Sequence, residues 1–118
     1  LDRFVVVKWD YDKKLETKLI KDPDLLKFGW EVRKAIAKLK LPIIISTRGL
    51  INFYKLMQVE GFDISERLES VLFEGVDAQS LLTIAREIPK SKYRSALEKL
   101  AERVHQEETT SGDENESD

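Results

Sequence analysis

Two short stretches carry residue types and spacings that could do chemistry. In the first, Leu1-Asp2-Arg3-Phe4 leads into the apolar run Val5-Val6-Val7, which sets an arginine just before a strand. In the second, Ser46-Thr47-Arg48-Gly49 opens a helix, with Ser46 or Thr47 as its cap and Arg48 in its first turn. An arginine there stands against the helix dipole, which favours acidic residues at that end. The misfit makes sense beside an anion, because N-terminal backbone N–H groups and a planar guanidinium together suit phosphate oxygens. Two other readings stay open. Arg48 could be a surface arginine paired with a nearby carboxylate, or Arg48, Asn52 and Lys55 could form the polar face of a nucleic-acid-reading helix.

Other familiar chemistry is missing. The chain has no G-x-x-x-x-G-K-[ST] phosphate loop, no G-x-G-x-x-G and no H-E-x-x-H. His105 is the one histidine and sits beside an acidic tail, where it reads as solvated. Cysteine is absent, which excludes disulfides and thiolate metal sites. Trp9 and Trp30 read as packing residues at a strand end and on a helix face, and Phe53 and Phe62 as packing or capping contacts.

The elements that must position the two arginines follow from periodicity. Phe4 to Trp9 reads as a strand ended by Asp10-Tyr11-Asp12. A short helix over Lys13 to Ile20 would place Leu15, Leu19 and Ile20 on one side. After Asp22-Pro23-Asp24, with Asp24 as a candidate cap, a long helix from Leu25 to Leu39 carries Leu25, Phe28, Val32, Ile36 and Leu39 as its buried stripe. Ile43-Ile44-Ile45 is either a short strand or a buried connector. The helix opened by Ser46-Thr47 carries Leu50, Ile51, Tyr54 and Met57 on its apolar side. Asp63-Ile64-Ser65-Glu66 resembles a capping box, and Asp77 and Ser91 begin two further helices. The last of these buries Tyr93, Ala96, Leu97, Leu100, Ala101 and Val104. From Glu107 onward no apolar residue occurs, so this tail is expected to be disordered.

At 118 residues the chain is one domain by length, with 42% apolar and 36% charged residues. Six acids from Glu107 to Asp118 leave the remainder at +4 against a total of −2. That balance is weak support for nucleic acid, because the lysines are spread along helices. No run is apolar enough to span a bilayer, so no membrane partner is expected and a cytoplasmic setting is the default.

The order of the pieces resembles the C-terminal part of AAA+ ATPases, in the MoxR and CobS-like branch that includes the magnesium chelatase ATPase subunit. The matching segments are Leu1 to Val7, Trp9-Asp10-Tyr11-Asp12, Ile44 to Gly49 and Leu50-Ile51-Asn52, within residues 1–88. The resemblance implies that Arg3 is an arginine finger reaching the nucleotide of a neighbouring subunit. It implies that Arg48 is the sensor-2 residue, with Ser46 and Thr47 beside it at the ATP phosphates. Thr47 stands where many relatives have proline. The Walker and sensor-1 motifs would lie upstream of Leu1.

The expected fold is mainly α: a helical lid-type bundle of about five helices, preceded by one β-strand from a truncated α/β AAA+ core. Residues 1–12 would be the last core strand, 13–88 the lid, 89–106 a C-terminal helix and 107–118 the acidic tail. The resemblance implies ATP and Mg²⁺ as cofactors of an intact protein, with none for this chain alone. It also implies a homo-oligomeric ring, a protein substrate to remodel or supply with metal, and no turnover by the chain alone. The other function classes are a helical protein-interaction module and a DNA-binding helical domain.

Overall fold

The computed structural model describes residues 11–59, 61 and 63–117, with side chains as far as Thr109. The strand expected over residues 4–9, together with Arg3 and Trp9, lies outside the described residues. What is described is mainly helical. Six α-helices follow one another: α1 (Lys13–Leu19), α2 (Pro23–Leu39), α3 (Thr47–Met57), α4 (Ile64–Arg67), α5 (Ala78–Glu87) and α6 (Lys92–Ser117).

Local chemistry explains the boundaries. Asp22, rather than Asp24, caps α2: its carboxylate accepts from the Asp24 and Leu25 N–H groups at 3.0 and 3.2 Å. Pro23 then takes the first helical position, where its missing N–H costs nothing. Ser46 caps α3 by accepting from Gly49 N–H at 3.0 Å. The capping box at α4 is formed, with Glu66 accepting from the Asp63 N–H at 3.4 Å. This helix continues as a π turn over Leu68–Leu72, closed by a bond from Phe73 N–H to the Leu68 carbonyl at 2.8 Å. Ile43 to Ile45 is a connector without strand pairing among the described residues; it buries Ile45 and leaves Ile44 exposed.

Apolar spacing predicts most of the core. Leu25, Phe28, Val32 and Ile36 of α2 meet Leu50, Ile51 and Phe53 of α3, and Leu81, Ile84 and Ala85 of α5. Tyr93, Leu97, Leu100 and Ala101 of α6 close it. The Tyr93 ring lies 5.5 Å from Phe28 and 6.1 Å from Phe53 by centroids. Its hydroxyl donates to the Asp22 carboxylate, so the capping residue of α2 also ties down α6. Burial, with the Asp22 bond and charge, pushes the Tyr93 hydroxyl well above its ordinary value. Gly29 lets α2 and α3 approach closely: a methyl there would meet Leu50 Cδ2 at 2.7 Å.

One expectation gives way to packing. Leu15 and Leu19 do not form the buried side of α1. Both are exposed, and the buried positions one turn apart are Glu16 and Ile20. The backbone of the last helix is helical to Ser117, beyond Val104 where its apolar stripe ends, and residues 105–109 are exposed. Turns packed on α5 supply the nucleus from which the helix propagates.

Candidate functional site

The S-T-R-G segment is anchored from beneath by a polar network that the sequence reading missed. Glu16 of α1 is fully buried, and the Arg33 side chain of α2 is 5% exposed. The guanidinium meets the carboxylate on two nitrogens, Nη1 to Oε1 at 3.0 Å and Nη2 to Oε2 at 2.5 Å. Its third nitrogen, Nε, donates to the Ile45 carbonyl at 2.8 Å. The Tyr11 ring covers the guanidinium, 4.1 Å from Cζ. Trp30 Nε1 donates to Glu16 Oε1 at 2.8 Å. Thr47 Oγ1 donates to Glu16 Oε2 at 2.8 Å and accepts from the Asp12 N–H at 2.6 Å. Asp12 in turn caps α1 through Leu15 N–H at 3.0 Å.

Each residue of the segment therefore has its own place. Arg33 holds the carbonyl just before Ser46. Ser46 caps α3. Thr47 ties the first turn of α3 to Glu16. Arg48 is the residue left outside. It is exposed and lines an open groove of about 510 Å³ with Asp12, Leu15, Thr47, Ile51, Asn52 and Lys55. Among the described residues the Arg48 guanidinium has neither a hydrogen bond nor an ion pair. Arg48, Asn52 and Lys55 do share one face, but the Asp12 carboxylate stands in the same groove. Two cations are few for a nucleic-acid face.

Burial by itself would push the Glu16 carboxyl up. The hydrogen bonds from Arg33, Trp30 and Thr47, with the Arg33 charge, outweigh it and hold the group below its ordinary value of 4.5. A carboxyl depressed in the folded state contributes its full stability above its unfolded value and loses it as the pH falls through the folded one. Stability should therefore be level near neutrality and decline below pH 4.5. Asp63 and Asp77, held down chiefly by the Ser65 and Ser80 hydroxyls, share in that decline. Denaturant melts across this range should show a shallower acid slope for Glu16→Gln than for the unaltered chain. Parallel profiles would mean that Glu16 does not enter the fold as a carboxylate.

Sequence reasoning singled out Ser46, Thr47 and Arg48 but not Glu16, Arg33 or the role of Trp30. The one available signal was a carboxylate at i−4 from Ile20, on the side of α1 that turns inward. Among the described residues no helix is long and apolar enough to cross a membrane, and no cluster of His, Cys, Asp and Glu is placed to hold a metal ion. Comparison with protein-family models, curated proteins and solved structures yields no match.

Proposed function

We propose that this chain is the lid end of an AAA+ ATPase, in which Arg48 contacts nucleotide phosphates. The observation that carries the reading is an exposed arginine without a partner among the described residues, on the first turn of α3. It stands on a rigid base: the Ser46 cap and the Glu16–Arg33 network fix the helix start from which it projects. A helix N-terminus with a free guanidinium suits phosphate oxygens. The helical body also has its own core, as a lid that moves as one piece requires.

In this reading ATP with Mg²⁺ supplies the polyphosphate. Arg48 would hold its oxygens, and the Mg²⁺-binding carboxylates would come from the ATPase core. Arg3 would serve a neighbouring subunit of a homo-oligomeric ring, and ring motion would act on a protein substrate. The chain by itself, without a phosphate loop, should not turn over ATP.

The test is an ATP titration of the chain followed by NMR. Shifts should concentrate on the Arg48 side chain and the Gly49 and Leu50 amides, and Arg48→Ala should abolish them while leaving the melting temperature unchanged. Shifts scattered over the lysines of α2, or unaltered by Arg48→Ala, would overturn the assignment.

A further inference from the structure

Helix α6 outruns α5. Alongside Ala78, where α5 begins, α6 continues past Ala101 to His105 and Glu108. Between the two helices lies an open groove of about 500 Å³ with Ala78, Leu82 and Ala101 in its lining. Its rim is acidic: Glu98, Glu102 and Glu108 line it beside His105, and among the described residues no lysine or arginine does. Glu98 meets Arg94 at 3.7 Å, whereas Glu102 and Glu108 have no ion-pair partner among the described residues.

Apolar lining with a carboxylate rim selects a short helix that carries leucines on one side and lysines along its edge. This chain contains such a helix. Leu15 and Leu19 of α1 are 39% and 43% exposed and lie one turn apart. Lys14 and Lys18, also one turn apart, are exposed beside them and have no ion-pair partner among the described residues. In its own copy α1 is tied to α3 through Glu16 and Thr47, and its leucines remain uncovered. At 1.5 Å per residue, α1 is about 10 Å long and the groove from Glu98 to Glu108 about 15 Å, so two helical turns fit.

We propose that the α5–α6 groove of one copy receives α1 of a second copy. The two surfaces differ, so the contact is head-to-tail, and its repetition gives a closed ring or an open filament. It involves no nucleotide and does not rest on the phosphate reading of Arg48. Leu15 also borders the Arg48 groove, so the lysines are the residues to change.

The test is sedimentation velocity of the full chain without nucleotide. Over concentrations from about 10 μM to about 1 mM the chain should associate reversibly, and less so as salt rises. Lys14→Glu with Lys18→Glu should raise the apparent dissociation constant about tenfold or more, and Glu102→Lys with Glu108→Lys should do the same. All four positions are exposed, so circular dichroism should show unchanged helix content. An equimolar mixture of the two variants should associate where neither does alone, because each then offers the charge the other needs. All four changes in one chain should restore self-association. A chain that stays monomeric throughout, association indifferent to both charge changes, or a mixture that stays monomeric would each overturn the proposal. A monomeric chain that binds a leucine–lysine helical peptide would also overturn it, assigning the groove to another protein.

Discussion

Glu16→Ala should destabilise the helical body by about 3–5 kcal/mol, the cost of stranding one member of a buried ion pair. The carboxylate is fully buried, and Arg33, Trp30 and Thr47 all donate to it. Without it the guanidinium keeps its charge, its burial and one carbonyl partner, Ile45. Trp30 Nε1 and the Thr47 hydroxyl lose an acceptor as well, and a buried polar group without a partner is costly. Urea unfolding at neutral pH measures the loss. Two comparisons separate the pair from general helix weakening. Lys38→Ala, which breaks an exposed pair with Glu87 at 2.9 Å, should cost less than about 1 kcal/mol. Glu16→Leu with Arg33→Met should recover much of the loss, because apolar residues of similar volume often replace a buried pair without penalty. A loss for Glu16→Ala no larger than that for Lys38→Ala would show that the network contributes little to stability.

Arg3→Ala, in an ATPase assembled around this chain, should leave ATP binding largely intact and lower kcat by roughly a thousandfold or more, as removal of an arginine finger does. A planar cation near the transferred phosphoryl group stabilises charge that grows in the transition state, so binding is spared and turnover is not. The effect should complement in trans. Mixing Arg3→Ala subunits with subunits that lack a working phosphate loop should restore some activity, since on the proposed reading each site would take its finger from a neighbour. Hydrolysis at the normal rate, or loss of the fold, would make Arg3 a structural residue and remove the support that the L-D-R-F segment lends to the ATPase reading. Arg48→Ala tests that reading separately, because the proposed phosphate contact lies within the described helical body.

How much of the molecule was legible differs from element to element. The stripe of α2 and the six apolar positions of α6 could be read directly, because a helix three or more turns long repeats its buried face often enough to be recognised. Helix α1 has two turns, and there the reading failed. Leu15, Leu19 and Ile20 suggested an apolar side, while the inward positions are Glu16 and Ile20. Two turns leave the choice of face to whatever lies opposite, and opposite α1 lies Arg33.

The sequence alone determined that the described body is helical, where most helices begin and which residues form the common core. It also marked Ser46-Thr47-Arg48 as a helix start with an unusual arginine. These are local properties: capping, proline and glycine punctuation, and a 3.6-residue period act within a few turns. Only the tertiary structure decided that Glu16 and Arg33 neutralise each other in the interior, that Thr47 belongs to their network and that Arg48 does not. A charge enters the core only when a partner distant in sequence is brought to hydrogen-bonding distance, and packing of the helices is what brings it there.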